Sequence, residues 1–282
     1  MHLGGLRYHL PRIRQLLGEK ILVGHERYSG LGYHADRLAY EMNNEPYLIP
    51  VIKGALQERA GAFLDVGANC GQTLIKVLSV DPQRRYFGFE PQLECCFFIE
   101  RFKNKNDLGN VVVLPVALSD SDGATQLFFD EPVDLTASLL PVQFDTIDEV
   151  RSRSTWVLAR RGDAIVNELC IEDVAVIKID VEGFELEVIQ GLQNTIRKFE
   201  PVLIFEILTN RKWGVLFDSS EVRAQKQARA DQIFALLKEF SYSIWRIDNK
   251  GHEHSVEKVD LDATLGPDFT NDGRDYVARH CD

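Results

Sequence analysis

Five short stretches, most of them continuous and apolar, constrain the fold of this chain more than any other feature. They cover residues 62–66, 86–90, 111–114, 174–180 and 202–207. Continuous apolar runs of this length are typical of parallel strands that helices cover on both faces. Helical patterns alternate with the strands and cover residues 71–80, 93–102 and 184–198. The alternation predicts an α/β fold with a doubly wound, mostly parallel sheet.

The rest of the chain adds elements to this sheet. Helical spacing at residues 35–42 indicates a helical N-terminal cap, which we assign to residues 1–55, leaving residues 56–282 as the main domain. Two short apolar runs within residues 120–140 indicate a hairpin or an excursion beside the sheet. The last predicted elements are a long helix capped by Ser219 and two strands that pair antiparallel, at residues 219–240, 241–247 and 275–280.

The composition argues against nucleic-acid binding and against a membrane span. The formal net charge is -11, and an acidic chain lacks the basic patch that phosphate binding requires. No segment approaches the roughly 18 to 20 apolar residues of a transmembrane helix. The five cysteines show no CxxC spacing, so we expect reduced thiols. We therefore expect a soluble, cytoplasmic protein with a small-molecule partner, and the sequence leaves a homo-oligomer open.

A glycine turn follows the first predicted strand, in the stretch FLDVGANCGQT. Gly67, Asn69 and Gly71 resemble the dinucleotide fingerprint GxGxxG, but asparagine replaces the middle glycine. Asparagine tolerates a left-handed backbone better than most residues. Asp65 precedes the first glycine, and its carboxylate would repel a pyrophosphate and attract an ammonium group. The turn therefore favours a cofactor that carries a positive charge.

A second acid, Glu90, ends the second predicted strand in YFGFEP. An acid at this place, about 20 residues beyond the glycine turn, can accept hydrogen bonds from both ribose hydroxyls of an adenosine cofactor. Together with Asp65 and the incomplete glycine pattern, Glu90 favours S-adenosylmethionine over NAD. We therefore predict that the chain binds S-adenosylmethionine.

Five motifs extend this pattern through the centre of the chain, namely DVGANCG, FGFEP, VVLPVALSDSDG, VIKIDVEGFELEVIQGL and EPVLIFEI. Their order and spacing resemble the FkbM family of S-adenosylmethionine-dependent methyltransferases, over about residues 60–210. The resemblance implies a class I methyltransferase sheet, which is Rossmann-like. It also implies O-methyl transfer to a hydroxyl of a sugar, a glycan or another natural product.

The same resemblance places a set of residues around the cofactor. The methionine end and the sulfonium are expected near Asp65, Gly67, Ala68, Asn69 and Gly71. Glu90 is expected to hold the ribose, Ala117 to lie against the adenine, and Asp180 to contact the cofactor as well.

Carboxylates at the end of the fourth strand are the catalytic candidates. Open α/β sheets bind ligands at the carboxyl ends of their strands, and Asp180 and Glu182 follow the central strand directly in KIDVEG. Either carboxylate could take or orient the proton of a hydroxyl acceptor, with Glu206 after the fifth strand as a third candidate. Lys178 shares a strand face with Asp180 and needs an anionic partner if it is buried. The partners considered for it are Asp65, Glu90 and Glu206.

Several alternatives stay open at this stage. The three catalytic carboxylates could instead gather a divalent cation, although we assign no metal site. The base could come from the N-terminal cap, for example His34, whereas His252 and His254 are expected in a solvated loop. An NAD-dependent oxidoreductase is disfavoured by the incomplete glycine pattern. A non-catalytic cofactor-binding partner domain is disfavoured because Asp65, Glu90 and Asp180 are all retained.

Overall fold

Strands and helices alternate along the chain in the computed structural model. It describes residues 20–23, 26–29, 45–129, 137–140, 153–209, 211–212, 215–216, 219–262 and 273–281. The described helices are α1 (Leu48–Glu58), α2 (Gln72–Val80), α3 (Leu93–Lys105), α4 (Gly162–Glu168), α5 (Glu185–Gly191), α6 (Gln193–Phe199) and α7 (Ser220–Glu239). The described strands are β1 (Lys20–Val23), β2 (Glu26–Ser29), β3 (Ala62–Val66), β4 (Tyr86–Phe89), β5 (Val111–Leu114), β6 (Ala117–Ser119), β7 (Gly123–Phe129), β8 (Arg153–Arg161), β9 (Val174–Ile179), β10 (Val202–Glu206), β11 (Arg211–Lys212), β12 (Val215–Leu216), β13 (Tyr242–Ile247), β14 (Glu253–Ser255) and β15 (Asp275–His280).

A central sheet of eight strands carries the fold, in the order β14-β13-β15-β10-β9-β3-β4-β5. Strands β10, β9, β3, β4 and β5 run parallel to one another. Strand β15 pairs antiparallel with both β10 and β13. The five predicted parallel strands and the antiparallel C-terminal strand are therefore confirmed. The chain order reverses between β3 and β9, and open α/β sheets bind ligands beside such a point.

Two apolar cores cover the two faces of this sheet. Phe63 of β3 points into the core formed with α1, α2 and α3. Its neighbour Leu64 points to the other face, where α4, α5, α6 and α7 pack. All five side chains of β3 are buried, which is why this strand is continuously apolar except at Asp65. The doubly wound arrangement follows from this burial on both sides.

A second sheet lies beside the first, in the order β6-β8-β7. The sequence predicts an excursion within residues 120–140, and β7 with the isolated bridge between Phe128 and Ser138 forms its described part. Strand β8 is not predicted. Its side chains are mostly exposed, Ala159 being the buried exception, so the apolar run from Trp156 to Ala159 in its sequence does not mark a strand of the buried core.

Both ends of the chain add elements outside the parallel core. The Ser219 side chain accepts a hydrogen bond from the Val222 N–H, so the predicted cap of the long helix is confirmed. Near the N-terminus, β1 and β2 pair antiparallel, which the helical interpretation of residues 1–55 does not include. The predicted helix at residues 35–42 and His34 lie outside the described residues, and the domain boundary at residue 55 stays a prediction. Among the described helices, none has the length and apolar character needed to cross a membrane.

The turn after β3 requires glycine at position 67. Gly67 has a φ of 85°, and a Cβ built there would lie 1.8 Å from the carbonyl oxygen of Asp180. The Asp180 N–H also donates to the Val66 carbonyl at 2.9 Å. The ends of β3 and β9 therefore touch through backbone alone, and no side chain fits between them.

Replacing Gly67 with alanine should destabilise the protein. The positive φ alone costs about 1–3 kcal/mol for a residue with a side chain, and the clash with Asp180 adds to that cost. The matched control is Gly54→Ala in α1, where an added Cβ meets nothing within 4 Å and should stabilise the helix by about 0.5–1 kcal/mol. Urea unfolding followed by circular dichroism measures both. Equal stability of Gly67→Ala and the wild type would contradict the packing described.

Candidate active site

A cleft of about 250 Å³ opens at the carboxyl ends of the parallel strands, where β3 and β9 meet. The predicted site residues that line it are Gly67, Asn69, Glu90, Ala117, Asp180, Glu182 and Glu206. The structure thus brings together residues from five separate segments of the chain. It also adds four charged residues that the sequence does not assign to the site, Glu45, Lys76, Lys178 and Arg274.

Glu90 is held by the backbone of the glycine turn. One carboxylate oxygen accepts from the Asn69 N–H at 2.9 Å, and the other accepts from the Gln92 N–H at 2.8 Å. Burial raises the pKa of Glu90 to about 7, although these N–H donors act in the opposite direction. A carboxylate offers about four acceptor sites, so both oxygens can still accept ribose hydroxyls. The geometry therefore suits the role predicted for Glu90.

Three of the residues predicted to touch the cofactor do not line the cleft, namely Asp65, Ala68 and Gly71. Asp65 is completely buried in β3 and accepts a short hydrogen bond from the Tyr86 hydroxyl. Burial raises its pKa to about 6. Ala68 accepts from the Gly71 N–H inside the turn, at the start of α2. Asp65 is therefore buried and does not line the cleft. The alternation of side chains along a strand predicts the face of the sheet on which a residue lies, but it does not predict how deeply that residue is buried.

Lys178 is buried in the central strand β9 and bonded to Asp180. Its Nζ lies 2.8 Å from an Asp180 carboxylate oxygen, and β3 places Asp65 directly opposite it. Burial alone would lower the pKa of Lys178, but these two acids raise it above its usual value. Burial would raise the pKa of Asp180, but Lys178, a hydrogen bond with Glu206 and the charge of Arg274 together lower it. The residue bonded to Lys178 is therefore Asp180. The sequence predicts Asp65, Glu90 or Glu206 as the partner of Lys178 and does not include Asp180 among them.

Asp180 also shares a hydrogen bond with Glu206 at the end of β10. Burial and the nearby Asp180 raise the pKa of Glu206 well above its usual value, more than the contact with Arg274 lowers it. The raised pKa favours the protonated form of Glu206, and the lowered pKa of Asp180 favours its ionised form.

Glu182 stands on the turn that follows β9. It has a φ of 52°, and its carbonyl accepts from the buried Ser138 hydroxyl at 2.9 Å. Positive φ is uncommon for residues other than glycine and is found at functional sites. Ser138 thus fixes a turn that presents the Glu182 side chain to the cleft.

The three catalytic candidates approach one another closely enough to hold a cation. Oxygens of Asp180, Glu182 and Glu206 lie within 4.8 Å of one another, and hard divalent ions prefer such ligands. However, Lys178 pairs with Asp180, and Arg274 contacts Glu206. Two of the three carboxylates therefore already have cationic partners, which a metal ion would have to displace.

Comparison with known proteins shows the family to which the chain belongs. The family model described as the methyltransferase FkbM domain matches residues 65–244. The chain belongs to the FkbM methyltransferase family. S-adenosylmethionine, the methyl donor of this family, is therefore its cofactor, and the predicted class I fold is confirmed.

Individual relatives of this methyltransferase are distant. The hexuronic acid methyltransferase AglP of Haloferax volcanii is 27% identical over 150 residues, which are 52% of this chain and 56% of AglP. The chain thus matches little more than half the length of that relative. Among solved structures, an FkbM methyltransferase from Methylobacillus flagellatus KT is similar with a TM-score of 0.45 and 15% identity, covering 78% of this chain and 44% of that one. Cofactor-bound Rv0187 from MTB has a TM-score of 0.47 and 12% identity, covering 86% and 88%.

Cofactor affinity should depend on the ionisation of Glu90. The pKa of Glu90 is about 7, and ribose hydroxyls donate to its ionised carboxylate. Affinity for S-adenosylhomocysteine should therefore reach its maximum above pH 7. Below pH 7 the affinity should fall by up to about tenfold per pH unit. In Glu90→Gln, affinity should be weaker by about 1–3 kcal/mol and should not vary with pH in this range. Calorimetry between pH 5.5 and 8 gives both profiles, and an unchanged profile in the variant would remove Glu90 from the ribose site.

Proposed function

We propose that this methyltransferase acts on a hydroxyl of a sugar, a glycan or another natural-product acceptor. The observation that carries the proposal is the carboxylate cluster of Asp180, Glu182 and Glu206, which lies in the cofactor cleft beside the Gly67 turn. A hydroxyl acceptor must lose a proton during methyl transfer, and a carboxylate can take it. Similarity to the hexuronic acid methyltransferase AglP favours a sugar-type acceptor.

The cofactor residues are proposed from the same cleft. Glu90 would hold the ribose hydroxyls, and Ala117 would lie against the adenine. Gly67 and Asn69 would let the sulfonium approach the turn closely, because no side chain projects from position 67. Asp65 would act from behind, by stabilising Lys178 rather than by touching the cofactor.

Methyl transfer is an in-line displacement, in which the bond from the methyl group to the sulfonium breaks as the bond to the acceptor oxygen forms. The hydroxyl becomes more acidic as this new bond forms, so its proton can pass to a carboxylate that is a weak base. Lys178 lies against Asp180 and favours its ionised form, and the hydrogen bond with Glu206 keeps its carboxylate oriented. Asp180 and Glu182 are therefore the two groups proposed to orient the hydroxyl and take its proton.

Neutral isosteres of these carboxylates test the proposal. Asp180→Asn and Glu182→Gln should each retain S-adenosylhomocysteine binding, and the one that removes the proton acceptor should slow methyl transfer by about 100- to 10,000-fold. Glu100→Gln is the control, since that carboxylate pairs with Lys103 on α3 outside the cleft. Single-turnover assays at saturating cofactor measure the chemical step. Near-normal rates in both cleft variants would contradict a proton-accepting role for either residue.

The acceptor is tested by labelling. S-adenosylmethionine with a radioactive methyl group, incubated with the enzyme and glycan or natural-product extracts, should yield a labelled product that mass spectrometry identifies. Mild alkali distinguishes the acceptor groups, because it releases a methyl ester of a carboxylate and leaves a methyl ether intact. We expect the label to resist alkali. Loss of the label would mean that a carboxylate is the acceptor, and loss of labelling on chelation would mean that a cation is required.

A further inference from the structure

Two charged residues line the cofactor cleft with no assigned role, Lys76 and Glu45. Lys76 lies on α2, and its side chain is only 2% exposed. Glu45 precedes α1, where its carbonyl accepts from the Leu48 N–H. The Lys76 Nζ lies 3.7 Å from a Glu45 carboxylate oxygen, whereas charged hydrogen bonds measure about 2.7–2.9 Å. The pair is therefore close enough to attract but is not joined by a tight hydrogen bond.

The pair lines the same cleft as Glu90 and the glycine turn. Glu90 bonds to the Asn69 N–H, and the turn containing Asn69 leads directly into α2. Gln72, Thr73 and Lys76 then line the same cleft from successive turns of that helix. A cofactor whose ribose binds Glu90 would therefore have its amino-acid end in the same cleft as Lys76 and Glu45.

We propose that Lys76 binds the carboxylate and Glu45 the ammonium of the amino-acid end of S-adenosylmethionine. That end is a zwitterion, so its two charges match an opposed pair of side chains. On binding, Lys76 exchanges the Glu45 carboxylate for the ligand carboxylate, and Glu45 exchanges the Lys76 ammonium for the ligand ammonium. Neither side chain is then left as an uncompensated buried charge. Asp65, the sequence-based candidate for the ammonium, is bonded to Tyr86 outside the cleft.

The charges around Lys76 are consistent with this role. Burial lowers the pKa of Lys76, and Glu45 opposes that effect, with weaker influences from Lys178, Asp180 and Asp65. A ligand carboxylate would thus bind a desolvated lysine whose positive charge is stabilised mainly by one nearby acid, Glu45. The competing interpretation is a purely structural ion pair between α2 and the segment before α1.

Three adenosine ligands separate the two interpretations. S-adenosylhomocysteine carries both charged groups, S-adenosyl-3-thiopropylamine carries only the ammonium, and 5′-methylthioadenosine carries neither. In Lys76→Met, affinity for S-adenosylhomocysteine should fall about 10- to 100-fold, the range for a hydrogen bond to a charged group. Affinities for the other two ligands should stay within about twofold of wild type, because neither has a carboxylate.

Glu45→Gln provides the second arm and remains informative if Lys76→Met does not fold. It should weaken both S-adenosylhomocysteine and S-adenosyl-3-thiopropylamine about 10- to 100-fold while sparing 5′-methylthioadenosine. The control is Lys103→Met, which removes a lysine that pairs with Glu100 on α3, and it should change none of the affinities.

Calorimetry with the full chain measures all of these affinities. An equal loss for 5′-methylthioadenosine in the cleft variants would show that the pair is structural and would overturn the proposal, as would unchanged S-adenosylhomocysteine binding. No acceptor is needed, so the result does not depend on the proposed hydroxyl chemistry.

Discussion

Lys178 places a positive charge in the middle of the central sheet, and the site is organised around its compensation. An isolated buried ammonium is very unfavourable, so this position requires nearby anions. β3 supplies Asp65 directly across the strand pair, and β9 itself supplies Asp180 two residues further on. The two acids differ in position, since Asp65 is sealed inside and Asp180 reaches the cleft. One buried lysine thus lies between an acid inside the sheet and an acid that lines the cleft.

The same strand ends bring donor and acceptor chemistry together. Gly67 touches the Asp180 carbonyl, so the turn proposed for the cofactor and the residue proposed to take the acceptor proton share one backbone contact. Each cation of the cleft has an acid beside it, as in the pairs Lys76 with Glu45 and Arg274 with Glu206. Charges balanced in this way suit a cationic, zwitterionic cofactor, because its groups can exchange with existing partners.

Local pattern was sufficient to predict the parallel core and its main landmarks. Burial on both faces leaves a continuous apolar run, which is visible in the sequence of strands such as β3 and β10. Glu90 and Asp180 were found because strand ends in this fold point to the crevice. Strand β8 is not predicted because it lies outside the buried parallel core, and its apolar side chains Trp156 and Leu158 are exposed.

The sequence by itself determined the order of the elements, the family and the residue types at the strand ends, since these depend on short-range periodicity and spacing. Only the tertiary structure decided which of those residues line the cleft. It buried Asp65 against Tyr86 and brought Glu45 and Arg274 into the cleft from segments far apart in the chain. It also raised the pKa of Glu206, because a pKa depends on burial and on neighbouring charges that come together only when the chain folds.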